Sequence, residues 1–532
     1  MSLSQRLSRS KSSEAVPHSL EGIADDLASE RGRLHDEIEH DYSTTAHGVV
    51  PLEDRRPLWH FSSLWLTFVS GFAFLFVGTA LYDGGNSLAT TLLITLLGCG
   101  IYFAFVMLSA YLGSRTGQTF TLLTRSVFGR GGSGLVSVFL FLGAVGWCGF
   151  QANLLAQIWD GLYGWGSVEL LGIILAVVMI FNNLLGFSGI TVFARYVCTP
   201  VLVIWVLYLV IKGLAGGSHA LSVTPKASST GITGFMPGVA LIIGYLAYGS
   251  EADFWRYGKP KFWWPAPAFA FAFVFGMVLC AVGGWMMAAL AGTTEFGKVV
   301  HFTTAYSLGG VAVLTFIIAT VTQFATNDSN YYGAINAVQN IMGGWSRWRR
   351  LYSCLLTAVI APVASWLVIY VIPNGFFKVA EFLAITAASA TVIMVVDHYV
   401  VPRLFKISRP LREVPTWKDA AWFNWPAVIV LLIAVAFGGY GSGIVPGESS
   451  STFWFAPIPE AWALAGFGYI GAVALVRAFS KEPSSILGFS RTAREASAAG
   501  GAVPDIASEV ERPRHSAPAA QPSARLATDA AG

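Results

Sequence analysis

Twelve stretches of about 20 residues, at approximately 60–82, 88–113, 133–158, 168–188, 191–213, 232–250, 264–291, 304–326, 352–373, 377–397, 423–440 and 459–478, are apolar enough to cross a bilayer as helices. Inside hydrocarbon a chain must satisfy its own backbone hydrogen bonds, so runs of this length point to an all-α polytopic membrane protein. Composition agrees: 54% of the 532 residues are hydrophobic and 12% are charged, against about a quarter charged in soluble domains. An ordinary soluble enzyme is excluded. The net charge of +3 is spread among loops and is no nucleic-acid footprint. Cys99, Cys148, Cys198, Cys280 and Cys354 sit inside apolar runs without CxxC spacing and read as packing residues.

Lys and Arg fall on alternate loops. Arg115, Arg125, Arg130, Arg195, Arg256, Lys259, Lys261, Arg347, Arg349, Arg350, Arg403, Lys406, Arg409, Arg412 and Lys418 share one side with both tails. The other side holds only Lys212, Lys226, Lys298 and Lys378. The bias predicts both termini in the cytoplasm and an even number of spans in the plasma membrane. Residues 1–57 and 481–532 are polar and read as disordered cytoplasmic tails flanking a twelve-helix membrane domain at 58–480. The Ser- and Arg-rich segment 4–13 is a candidate for phosphorylation or a lipid surface, with plain disorder the simpler reading.

Two runs are poor as uniform helices. The first holds Gly71 and Gly78; the sixth holds Pro237-Gly238, Gly244 and Gly249 before Ser250-Glu251-Ala252-Asp253. Breaks at matching places five spans apart predict a five-plus-five inverted repeat with the binding site at the breaks. Close helix packing through small residues is the competing account.

Trp147 and Gln151 are four apart in the third run, on one helix face. A flat ring beside an amide suits a planar, hydrogen-bonding heterocycle; a structural Gln beside a packing Trp is the alternative. In the eighth run Thr322, Thr326 and Asn330 form one helical stripe, with Gln323 and Asn327 beside it. So polar a stripe lines a cavity or ion path if the helix continues, or marks a helix end emerging into water. Glu251, Asp253 and Arg256 after the sixth run form either a gate or an interfacial anchor, and Asp397-His398 either a proton-titrating pair or a solvated helix end. Asn182-Asn183 fits helix–helix hydrogen bonding. The chain has no GxxxxGK[ST], HExxH or GxSxG motif and no histidine ligand set, so no catalytic constellation or metal site is expected.

Four ordered segments resemble the nucleobase-cation-symport-1 family of purine, pyrimidine and hydantoin permeases, and within it the cytosine permease branch. They are Ala110 to Gly129 with Arg125, Phe128 and Gly129; Gly146-Trp147 with Gln151; Ala252-Asp253-Phe254 to Arg256-Tyr257-Gly258; and Thr326-Asn327-Asp328-Ser329-Asn330. Asn424-Trp425 and Gly443-Ile444-Val445-Pro446 fit the same branch. The resemblance covers about residues 45–480.

It implies a leucine-transporter-like fold of about twelve helices with the first and sixth broken, and cation-coupled uptake of a planar nitrogen heterocycle by alternating access. It implies that Trp147 stacks on the base, that Gln151 bonds one edge, that Asn327 or Asn330 bonds the other, and that Tyr245 lies against the ligand. The resemblance also puts the coupling ion, Na+ or H+, near Thr326, with Ala325 standing where sodium-coupled members have a second hydroxyl and Val77 in the first span. Asp253, Arg256 and Asp328 are the candidates for gating or coupling. No cofactor is expected beyond the coupling cation, and the partners are a nucleobase-like substrate and the bilayer. Hydantoin, allantoin or a vitamin are alternative substrates; a non-transporting receptor and a membrane enzyme are alternatives of other classes.

Overall fold

In the computed structural model residues 49–181, 183, 194–216, 221–222, 234–343, 347–372, 375–411, 419–444 and 456–489 are described. Along these residues the chain is helical: α1 Leu58–Phe68, α2 Phe72–Asp83, α3 Leu88–Thr116, α4 Phe120–Tyr163, α5 Val168–Val178, α6 Tyr196–Ala215, α7 Phe235–Leu246, α8 Ala252–Trp255, α9 Ala266–Ala291, α10 Phe296–Ser307, α11 Ala312–Ile341, α12 Trp348–Val371, α13 Phe377–Phe405, α14 Trp425–Gly441, α15 Pro457–Phe479 and α16 Pro483–Ile486. Among the described residues, seven helices are long and apolar enough to cross a membrane, two bent pairs (α1 with α2, α10 with α11) each pass as one span, and three shorter apolar helices remain. Together they match the twelve expected runs. Large apolar side chains such as Ile204, Val359 and Phe467 point outward, as a lipid-facing surface requires.

The two glycine readings divide by residue. Gly71 has φ +93° and ends the first half-span, and α2 leaves α1 at 48°; only a residue without Cβ takes that conformation cheaply. Gly78 is instead a packing contact: a Cβ there would stand 1.9 Å from Ala281 O, and one on Gly284 would stand 2.0 Å from Leu75 O. Helices α2 and α9 thus touch backbone to backbone through facing glycines. The sixth span breaks between α7 and α8, where Gly249 has φ +85° and lies against Ala387 and Ala388 of α13. Both expected breaks are present, five spans apart.

The eighth span departs from the sequence expectation of 304–326. The long helix is Ala312–Ile341, and α10 meets it at 119°. Hydropathy finds the most apolar window, whereas this helix carries its polar residues inward: Thr322 to Asn340 includes a nearly unbroken buried set. The stripe is therefore not a helix end emerging into water.

Gly129, with φ +75°, breaks α4 and separates a short leading helix from the third span that follows it. Beyond the break Arg130 N and Gly131 N bond Ala421 O and Trp422 O, each at 2.8 Å. Ahead of it Arg125 donates to Asn340 Oδ1 at 2.7 Å. Helix α4 packs chiefly on α11, the pair at corresponding places of the two repeats.

At the far end, Leu487 and Phe489 are buried, so packed chain extends past the boundary expected at 480. The tails at 1–48 and 490–532, segment 4–13, Asn182 and Val445-Pro446 lie outside the described residues.

Candidate functional site

A cavity of about 510 Å³, its open mouth included, lies where both broken spans meet three others. Its walls come from the first span (Trp65, Phe68, Val69, Phe74), the sixth (Gly244 to Tyr248) and one residue of the tenth (Leu383). The third span gives Trp147 and Gln151, and the eighth gives Thr326, Ser329 and Asn330.

Trp147 and Gln151 lie one turn apart on α4 and both face this space. The Trp147 ring stands edge-on to Tyr245 (5.3 Å, 85°) and to Phe150 (5.8 Å, 86°), which holds its plane fixed beside the amide. Tyr245 packs in turn against Phe74 at 5.8 Å. Gln151 Oε1 accepts from Gln323 Nε2 at 2.8 Å.

The two asparagines separate. Asn327 is absent from the cavity wall and fully engaged: its Nδ2 faces Cys148 O and Met179 Sδ, each at 3.2 Å, and its Oδ1 accepts from Asn330 Nδ2 at 3.1 Å. Asn330 lines the cavity; one hydrogen of its amide nitrogen goes to Asn327 Oδ1, which leaves its carbonyl and a second N–H to offer a ligand.

Thr326 Oγ1 lies 2.8 Å from Thr67 O, 2.9 Å from Thr322 O and 3.4 Å from Ser70 O. A hydroxyl has one proton to give, so this is a gathering of four oxygens around one polar hydrogen. Two of the carbonyls belong to the end of α1 and the break after it, where helix carbonyls lose their intrahelical partners. Hard oxygens so gathered are the ligands a small hard cation prefers. Ala325 is buried beside it and adds no oxygen. Val77 is buried six residues beyond the break, in the part of α2 that packs on α9, and does not line the cavity. The first-helix oxygens come from Thr67 and Ser70 because the break falls at 69–71.

Asp253 and Arg256 have no exposed surface, which overturns the interfacial anchor. Asp253 accepts from Phe120 N (2.7 Å) and Asn336 Nδ2 (3.1 Å), tying α8 to the short helix that leads into the third span and to the eighth span. Arg256 donates to Tyr257 Oη (2.9 Å) and Tyr332 Oη (3.3 Å). Glu251 is likewise fully buried and accepts from Tyr102 Oη (2.9 Å), Ser109 Oγ (2.7 Å) and Gly249 N (2.9 Å), fastening the break to α3. Asp328 accepts from Asn183 Nδ2 at 3.2 Å, and Arg350 donates to Asn183 O at 2.8 Å. Asp397-His398 is not a solvated end either. Asp397 is buried in an ion pair with Arg409 (2.7 Å) and accepts from Tyr469 Oη (2.6 Å), while His398 Nδ1 lies 2.8 Å from Met394 O. Arg409 also donates to Leu487 O at 2.5 Å.

Trp65, Phe68, Phe74, Tyr248 and Leu383 line the cavity without having a distinctive mark in the sequence. Trp65 and Phe68 are three apart on one helix face, a signal indistinguishable from core packing until the break is located. No group of three metal-ligating His, Cys, Asp or Glu occurs among the described residues.

Broken first and sixth spans around a largely aromatic and apolar cavity with a few polar side chains define a membrane transporter of the leucine-transporter type. The chain matches, over residues 50–455, the model of the permeases for cytosine/purines, uracil, thiamine and allantoin, and it belongs to that family. It is a transporter, not an enzyme. Cytosine permeases of Escherichia coli strains K12 and O157:H7 are 26% identical over 414 residues, covering 75% of this chain and 90% of theirs. The fold is similar to that of Mhp1, a nucleobase-cation-symport-1 family transporter solved in a closed conformation with bromovinylhydantoin bound (18% identity, TM-score 0.62, 83% of this chain and 98% of that one). It is also similar to a Na+-coupled sialic acid symporter in a substrate-bound outward-open state (12% identity, TM-score 0.52, 84% of this chain and 96% of that one).

Proposed function

We propose that this permease is a symporter that imports a nucleobase, of cytosine or purine type, by alternating access across the plasma membrane, driven by a cation gradient. The observation that carries the reading is the convergence of the Trp147 ring and the Gln151 and Asn330 amides on one cavity at the two helix breaks. A planar base stacks on the ring while its edges meet the two amides. Tyr245 closes the aromatic side; Asn327 acts through Asn330, holding its amide in place. The gathered oxygens of Thr326, Thr67, Ser70 and Thr322 favour a cation at that point. With Ala325 in place of a second hydroxyl, sodium has one oxygen fewer and proton coupling is the rival.

Asp253, Arg256 and Asp328 serve as ties that must break or shift together when the cavity changes the side to which it opens. The loop charges support cytoplasmic termini, which labelling of single cysteines added at each terminus tests from both sides of the membrane.

The deciding experiment is uptake of radiolabelled cytosine into proteoliposomes, with sodium and proton gradients imposed separately and purines, uracil, hydantoin, allantoin and thiamine as competitors. Accumulation driven by one gradient is expected. The family's range includes allantoin and thiamine, so competition by one of these without cytosine uptake would replace the substrate. Saturable binding without accumulation under either gradient would overturn transport in favour of a receptor.

A further inference from the structure

Gln323 stands behind Gln151, outside the cavity wall. Its Nε2 donates to Gln151 Oε1 at 2.8 Å, and the two residues are 0% and 1% exposed. Gln323 Oε1 accepts no hydrogen bond from any described residue. It lies beside the first-span break, 3.9 Å from where a Cβ on Gly71 would stand. A side-chain amide carries an acceptor and a donor of almost equal size on one plane. Which half Gln151 shows to the cavity therefore depends on which half its neighbour occupies.

We propose that Gln323 is a specificity-determining positioning residue: by occupying the Gln151 carbonyl it turns the Gln151 amide nitrogen toward the ligand. The site then offers a donor at that wall and selects an edge that places an acceptor there. The bond to Gln323 is thus what makes the polarity a property of the pair rather than of Gln151 alone. At Asn330 one N–H is likewise taken by a buried amide, that of Asn327, which leaves its carbonyl and a second N–H. Both polar walls of the site are thus built on pairs of buried amides.

This inference deepens the nucleobase reading and rests on it. Cytosine and uracil test it, because they share size and ring but exchange donor and acceptor at ring nitrogen 3 and its neighbouring exocyclic group. The measurement is the ratio of their inhibition or binding constants in purified full-length wild type and in Gln323→Leu and Gln323→Met, which keep bulk but cannot hydrogen bond. A structural defect lowers the amount of active protein without moving that ratio. Freed from Gln323, Gln151 can offer either half, and the wild-type preference is expected to fall about tenfold, the worth of one hydrogen bond. A wild-type ratio near one, or a strong wild-type preference that both variants keep, overturns the inference and leaves the nucleobase reading standing. Binding of neither base by wild type overturns this inference, and failure of the purines to bind as well refutes the nucleobase reading with it.

Discussion

Trp147 and Asn330 on the cavity wall, and Asn327 behind it, have different jobs, and single substitutions separate them. Trp147→Ala removes the stacking platform, worth about 1–3 kcal/mol per base; ligand affinity of the purified protein is expected to fall by about ten- to a hundredfold while surface expression is unchanged. Asn330→Ala should likewise weaken binding, and should lower the melting temperature less than Asn327→Ala, since it removes one buried hydrogen bond rather than the three contacts of Asn327. Asn327→Ala instead strips partners from Cys148 O and Asn330, a loss of about 1–3 kcal/mol that a lowered melting temperature in detergent would register. If the melting effects of the two asparagine variants are reversed, the division of roles is wrong. At the oxygen cluster, Ala325→Ser adds a hydroxyl beside Thr326; the concentration of sodium giving half-maximal uptake should fall, and Thr326→Ala should abolish any cation dependence.

Helices α2 and α9 approach so closely that neither Gly78 nor Gly284 has room for a methyl group. The bent first span, and with it the Thr67 and Ser70 carbonyls, is held in place partly by this contact. Gly284→Val should cost about 3 kcal/mol or more through overpacking against backbone that cannot yield, read as loss of a monodisperse peak in size-exclusion chromatography. Gly439→Ala, at a position where a Cβ meets nothing within 4 Å, is the control and should behave as wild type. The eighth helix makes the same point about elements: Thr322 to Asn340 is polar enough to look like an exit from the membrane, yet stays helical and buried because α4 covers it.

For the molecule as a whole, the proposed cation and substrate sites share Thr326 and the first-span break, so binding of one should strengthen the other by the same factor in both directions. Ligand at about a hundred times its Kd should stabilise the fold by about 2.7 kcal/mol, visible as a melting shift that grows when the coupling cation is present. Equal shifts with and without cation would argue against coupling through this site. The buried Asp397–Arg409 pair ties the tenth span to residues 487–488. Asp397→Asn leaves Arg409 without its counter-charge, and breaking such a pair costs about 3–5 kcal/mol; a lowered melting temperature with unchanged substrate affinity is expected.

Apolar length decides which segments leave water, so the spans and their matched breaks were legible in the chain. Helical spacing put Trp147 with Gln151, and Thr326 with Asn330, on common faces for the same reason: both depend only on neighbours in sequence. Contacts between distant segments carry no such local trace. That Gly71 breaks while Gly78 packs, that Asn330 rather than Asn327 lines the cavity, that Val77 lies away from the oxygens, and that Asp253, Arg256 and Asp397 are buried ties rather than solvated charges, was decided by which helices press together. A polar side chain's role depends on the partner that reaches it, and for Gln151 that partner is 172 residues away.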